Sequence, residues 1–246
     1  MPVLASRYSK SERWIRNTLD AYTLPPWNPK PRIMPAVMDA TRVGSSVLVV
    51  VRDPLQRENV WFRDYPTETT FAYQEAYQEL IQQGFIITGI VGDGRVAVPY
   101  LFPVPIQMCH FHQLQIIIAC TTLNPILPAA QEMLALAQTI TATDRDSFTD
   151  AFTLWCVKWH DFLNEKTTHP ESGKRSYTHR RLRRARTSIK THLPLLFTYQ
   201  KYPDLQLPNT TNSLDGSFAK LKTARAVHTG LRHKRQVKLL TSLLMK

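Results

Sequence analysis

The chain has 246 residues, enough to bury one large core or one core with an inserted subdomain. Lys and Arg number 31 against 19 Asp and Glu, and the resulting formal charge of +12 calls for a polyanionic partner, nucleic acid ahead of acidic membrane. The longest apolar stretches, residues 46–51 and 116–120, are far too short to cross a bilayer, and no segment has the layout of a signal peptide, so the chain is expected to act inside the cell with no membrane partner.

Residues 4–22 predict a short helix, with Ser9 or Ser11 as N-cap and Trp14, Ile15 and Leu19 on one side. Four prolines within residues 24–31 then predict an extended linker and a domain boundary near Pro31. Three runs with strand character follow, residues 33–40, 46–52 and 60–64, separated by Gly44-Ser45 and a polar stretch, which is the pattern of an antiparallel meander. Ala72, Ala76, Leu80 and Ile81 predict an amphipathic helix over 70–84, closed by Gly84. The continuously apolar run 85–91 predicts a buried parallel strand ending at Gly92-Asp93-Gly94. Another strand is expected around 106–110.

Residues 114–207 show little strand pattern and predict a large all-α segment. Its plainest signal is one stripe of Phe148, Phe152, Trp155, Trp159 and Phe162, which is expected to be core rather than a stacking surface for bases. An Arg-rich helix is expected over 178–192. A last basic helix runs from Thr210 through Asp215, Phe218, Leu221 and Arg225, is interrupted at Gly230, and gives way to a short helix ending at Leu244. Cys109, Cys120 and Cys156 are odd in number and unevenly spaced, the usage of reduced thiols, and with no CxxC pair a zinc ribbon is excluded.

Three strands, a helix, a strand ending in an acid, another strand, a helical insert and a helix carrying an acid is the order of an RNase H-like α/β fold: a mixed sheet with flanking helices and an all-α insertion before the last catalytic helix. Asp39 then falls on the first strand, Asp93 at the end of the fourth and Asp215 on the final core helix. Carboxylates from separated segments can hold two Mg2+ ions, with Mn2+ as a substitute, for in-line phosphoryl displacement, because these are hard cations that prefer oxygen ligands. The bland readings are a turn residue for Asp39, a loop residue for Asp93 and a helix-dipole partner for Asp215. Glu165, Glu171 and Asp204 are the poorer substitutes for the third ligand.

In four pieces the sequence resembles the DDE transposases of bacterial insertion sequences, in the Mutator-like superfamily. These are Val37-Met38-Asp39-Ala40-Thr41, Val91-Gly92-Asp93-Gly94, Gln107-Met108-Cys109-His110-Phe111-His112 and Asn209-Thr210-Thr211-Asn212-Ser213-Leu214-Asp215-Gly216. The resemblance covers about residues 34–240, and the third piece is similar to the family's C-x2-H signature. It implies a nucleoid-associated cytoplasmic bacterial enzyme that oligomerises on DNA, cleaves transposon ends and joins the freed 3′ hydroxyl to a target. Asp215 stands where many members have Glu, which makes this a DDD variant. Residues 9–20 resemble the recognition helix of a helix-turn-helix whose earlier helices are missing. The expected organisation is therefore 1–24 a partial helix-turn-helix, 25–32 a linker, 33–113 the first part of the core, 114–208 the insertion and 209–246 the C-terminal core helices. Cys109 and His112 are two metal-type ligands, too few for a zinc site, and are expected beside the cleft as structural or DNA-proximal groups. Arg180, Arg181, Arg183, Arg184 and Arg186, together with Lys220, Lys222 and Arg225, are expected to hold DNA phosphates. The alternatives are a truncated, catalytically inactive remnant that only binds DNA or oligomerises, and an RNase H-like nuclease without transposon ends.

Overall fold

The structure, a computed structural model, describes residues 2–245. The expected first helix is two: α1 (Pro2–Arg7) and α2 (Glu12–Ala21). Ser9, with φ +50, breaks them, and the Ser11 hydroxyl caps α2 by accepting from the Trp14 amide at 3.1 Å. The polar Ser9-Lys10-Ser11 sequence favours side-chain capping over continued helix, which accounts for the interruption. The proline-rich residues 22–32 are extended, as their composition dictates, but they are docked rather than loose. Pro29 is buried, and the Trp27 indole N–H donates to the Asn59 carbonyl at 2.9 Å while its ring packs beside Phe62.

Five strands form one mixed sheet in the order β3-β2-β1-β4-β5, with β1 (Ile33–Val43), β2 (Ser46–Asp53), β3 (Glu58–Tyr65), β4 (Ile86–Gly92) and β5 (Ile106–Met108). The first three are the expected antiparallel meander. Gly44, at φ +60, makes the two-residue turn between β1 and β2, a conformation that glycine adopts without strain. β4 joins β1 in parallel and β5 joins β4 in parallel. The parallel step from β3 to β4 needs a crossover, which α3 (Thr70–Gln82) supplies. β1 continues past Ala40 because Thr41, Arg42 and Val43 keep the alternation, buried, exposed, buried. β5 is shorter than expected: His110 already opens the next helix, α4 (His110–Thr121).

Helices cover both faces of the sheet. Met34, Ala36 and Met38 of β1 pack with Ala72, Tyr73, Ala76 and Leu80 of α3. Val37 and Val43, on the opposite parity, pack with Leu48 and Val50 of β2 against Leu214, Phe218, Leu221, Leu240 and Leu244. Those last five side chains belong to two C-terminal helices, 212–227 and 233–244. Asp39 shares the parity of Val37 and Val43, so the two-residue repeat of a strand sends it towards the C-terminal helices.

Between α4 and the C-terminal pair lie α5 (Pro128–Gln138), α6 (Arg145–Lys158), α7 (His160–Asn164), α8 (Arg180–Leu196) and α9 (Thr198–Lys201). The expectation of an all-α insertion is corrected here. β6 (Lys166–Thr168) and β7 (Arg175–Tyr177) pair into a short antiparallel ribbon. Thr167 and Thr168 are β-branched, and Gly173 at φ +63 lets the chain reverse. The aromatic stripe is core but not one helix, since it bends at Trp159 between α6 and α7. Trp155 is buried and donates to the Ala129 carbonyl at 3.1 Å, and Trp159 donates to Glu132 at 2.8 Å. Phe148, Phe152, Ile189 and Phe197 belong to the same continuous cluster as Met34, Met38 and Tyr73, so the helical stretch shares its core with the sheet. The C-terminal helices are α10 (Asn212–Val227) and α11 (His233–Leu244). α11 clamps the end of α2: Arg235 pairs with the Asp20 carboxylate, and the Lys238 ammonium donates to the carbonyls of Leu19, Asp20 and Tyr22. Among the described residues, no helix is long and apolar enough to cross a membrane.

Candidate active site

Asp39 lies on β1, 8% exposed, with its Oδ1 accepting from the Ala40 amide at 2.7 Å. Burial pushes its carboxyl up to about 6, and the nearby carboxylates of Asp93 and Asp215 push in the same direction against the pull of His112 and the Ala40 amide. Asp93 and Asp215, the other two acids singled out from the sequence, thus both lie within electrostatic reach of Asp39.

Asp93 follows β4 directly and is half-buried, its Oδ1 accepting from the Arg95 amide at 2.9 Å. The turn is tight: a Cβ on Gly92 would lie 2.4 Å from Val96 Cβ, so only glycine permits this approach. Asp215 sits in the first turn of α10 and is exposed. Its neighbour Leu214 is wholly buried among the Val37 and Val43 side chains, and this packing brings the turn to β1.

Cys109 and His112 tie these elements together. Cys109 is the N-cap residue of α4 and is fully buried; the Thr211 amide donates to its sulfur at 3.4 Å, and the His110 amide donates to the Asn209 carbonyl at 2.9 Å. Thr211 is the N-cap residue of α10, so the start of α4 is stapled to the start of the helix that carries Asp215. One turn along α4, His112 places Nε2 4.0 Å from Asp39 Oδ2. The neighbouring Cys109 sulfur raises the His112 imidazole to about 9, outweighing burial, with further support from Asp39 and Asp93. Burial alone would raise the Cys109 thiol, but His112 and Thr211 outweigh it and hold it below the ordinary thiol value. The two shifts run in opposite directions, each group favouring the charged form of the other beside the acids.

Several neighbours escaped the sequence reading. Tyr73 of α3 is buried and donates to Glu68 Oε1 at 2.8 Å; burial first, then Glu68, Asp93 and Asp39, hold its phenol far above the usual range. Arg95 pairs with the same Glu68 carboxylate at 3.4 Å. From α8, His192 reaches the Asp93 loop, where a Cβ on Gly94 would lie 3.6 Å from its ring. None of these residues belongs to a local motif, and their helical periodicity reads as packing.

The basic residues divide. Arg181 donates to the Ala119 carbonyl at 2.7 Å. Arg183 donates to the Leu163 carbonyl and to Asn164, both at 2.9 Å, and lies 3.5 Å above the Tyr177 ring. Arg184 lies towards α4 near Cys120, Arg186 towards α6 near Cys156, and Arg180 is exposed. The run therefore fans around α8 rather than forming one face. On α10, Lys220 and Lys222 are exposed, and Arg225 donates to the Arg42 carbonyl at 3.2 Å. Of the substitute acids, Glu165 accepts from or shares a proton with His179 at 2.8 Å, at the foot of the ribbon.

Among the described residues, no three His, Cys, Asp or Glu side chains are gathered closely enough to enclose a metal ion. The chemistry of the donor set nevertheless fits a hard divalent cation, because a buried carboxyl with two like-charged neighbours gains most from such an ion. No family model and no curated protein matches this chain.

Proposed function

We propose that this chain is a DNA-cleaving and strand-joining enzyme of the DDE transposase type, built on an RNase H-like sheet, with Asp39, Asp93 and Asp215 as its carboxylates. The observation that carries the proposal is the meeting of three segments remote in sequence: β1 and β4 pair in parallel with Val37 opposite Val91, two residues before Asp39 and Asp93, and Leu214, next to Asp215, shares the core cluster of both valines. The sheet order and the mixed pairing of β1 with β2 and β4 support the RNase H-like reading. The charge of +12 supports DNA as the partner.

Bound Mg2+ would supply activation of the attacking oxygen and charge relief at the leaving oxygen, and the three carboxylates are the residues that would hold it. The chain's own contribution is positional. The Cys109–Thr211 staple fixes the Asp215 turn, and the His112 imidazolium balances the charge of Asp39. Arg184, Lys220 and Lys222 are exposed cations free to meet phosphates.

Purified protein incubated with its element's end sequences and Mg2+ or Mn2+ should produce nicks or joined strands, and Asp39→Asn or Asp93→Asn should abolish them. Equal cleavage by wild type and variants would remove the proposal. A binding-only remnant draws support from the acids not being gathered around one point. That reading expects DNA affinity with no metal-dependent product from any variant.

A further inference from the structure

Next to the Asp93 loop, α4 and α8 leave a groove of about 440 Å³. Ile116 of α4 contributes to its floor, and α8 lines it with Arg184, Thr187, Ser188, Thr191 and His192. Arg184, Ser188 and His192 are four apart and Arg184, Thr187 and Thr191 three and four apart, so each turn of α8, about 5.4 Å along its axis, brings further polar groups to the same wall. The groove has two distinct ends. Arg184 stands at one, near Cys120 in the last turn of α4. His192 stands at the other, against Gly94 and next to Asp93. Among the described residues, no carboxylate lines it.

One side of this wall is fixed from within. Gln113 is fully buried, donates to the Ser188 hydroxyl at 3.2 Å and meets His192 Nδ1 with its carbonyl oxygen at 2.7 Å. Both contacts of the His192 ring, to Gln113 and to Ser188 at 3.5 Å, fall on Nδ1, which leaves the Nε2 edge towards the Gly94 loop. Thr187 and Thr191 differ from Ser188: both are exposed, with their hydroxyls free to take an outside partner.

The geometry points to a track for the phosphodiester backbone of a single DNA strand, running along α8 from Arg184 past Thr187 and Thr191 to His192 and ending at the Asp93 loop. This inference rests on the acids being a DNA-cleaving centre, because that gives a strand its reason to end there. Guanidinium and hydroxyl donors are the groups phosphate oxygens accept from, and they fix the register of a strand without reading its sequence. A wall of donors without carboxylates suits a polyanion, and a seam closed between two helices would not leave its threonines exposed.

The test is the affinity of the full chain for a fluorescein-labelled, mixed-sequence single-stranded oligonucleotide, measured by anisotropy in EDTA so that no chemistry intervenes. Arg184→Ala should weaken binding about tenfold and Thr187→Val with Thr191→Val about fivefold, as expected for lost charge-assisted and neutral hydrogen bonds. Lys190→Ala is the charge-matched control: Lys190 is exposed on the same helix but lies towards α6, near Cys156, and its loss should change affinity by less than about twofold. Equal losses for Lys190→Ala and Arg184→Ala, or none for the threonine pair, would overturn the track. As an independent measurement, a photo-crosslinker on Thr191→Cys should capture the oligonucleotide and the same group on Lys190→Cys should not; the reverse result also overturns it. The two readings separate cleanly. Groove-dependent binding without metal-dependent cleavage keeps the track and removes the enzyme, whereas cleavage lost in Asp39→Asn but indifferent to the groove variants does the opposite.

Discussion

Asp39 is held at a cost. Its carboxyl is raised from an ordinary 3.8 to about 6, first by burial, so between those values the folded chain binds a proton that the unfolded chain releases. Stability from this group is present below pH 3.8 and is lost as pH rises through about 6. A shift of this size corresponds to about 3 kcal/mol at most, less where water and His112 screen it. Asp39→Asn should therefore be more stable than wild type at pH 7.5, by about 1 to 3 kcal/mol in urea unfolding, and the gap should close near pH 4. A variant that is less stable at both values would remove this account. Added Mg2+ or Mn2+ should raise the melting temperature of wild type and leave Asp39→Asn unmoved, since only a site with its carboxylates intact gains from binding the ion. At this scale the placement of Asp39 on a strand and of Asp93 just past one was legible, because both strands are recognisable apolar runs. The sequence was silent on Tyr73, Gln113 and His192. The hydrogen bond from His192 Nδ1 to the Gln113 carbonyl oxygen spans 79 residues, and nothing local distinguishes its partners from ordinary helix positions.

At the level of elements, the contact between the beginnings of α4 and α10 is the one on which Asp215 depends. Cys109→Ala removes the acceptor for the buried Thr211 amide and should destabilise the chain by about 1 to 2 kcal/mol, the range for a stranded buried donor. Cleavage should fall further than stability predicts, because the Asp215 turn is released while the fold persists. Cys109→Ser, which keeps an acceptor, should recover most of the stability in the same urea titration. The arginines of α8 make a second separation. Arg183→Ala loses two carbonyl-type acceptors and its place over Tyr177, and should lower stability by about 1 to 3 kcal/mol. Arg180→Ala, exposed at the start of the helix, should change stability by less than about 0.5 kcal/mol. The sequence predicted the meander, the helix between β3 and β4 and the parallel strand because turn-bounded strand runs, helical spacing and a continuous apolar run are distinct patterns. It did not predict the β6–β7 ribbon, whose three-residue strands are too short to alternate visibly, nor the bend at Trp159, where the stripe keeps its spacing although the helix stops.

Across the whole molecule, the surplus of cations predicts that DNA affinity falls steeply with salt, as condensed counterions lose their entropic advantage on release. A binding constant that barely moves between 50 and 200 mM salt, where six to ten phosphate contacts would lose about a thousandfold or more, would contradict a phosphate-dominated interface. The covering of one sheet face by α10 and α11 also has a bearing on biosynthesis. Val37, Leu48 and Val50 leave the ribosome early, yet the side chains that shelter them, from Leu214 to Leu244, emerge only after the whole helical stretch from α4 to α9 has been made. Until then the nascent polypeptide presents a bare greasy surface and an incomplete set of acids. Ribosomes that stall before codon 214 would therefore yield sticky products, prone to clumping and lacking the third of the proposed carboxylates.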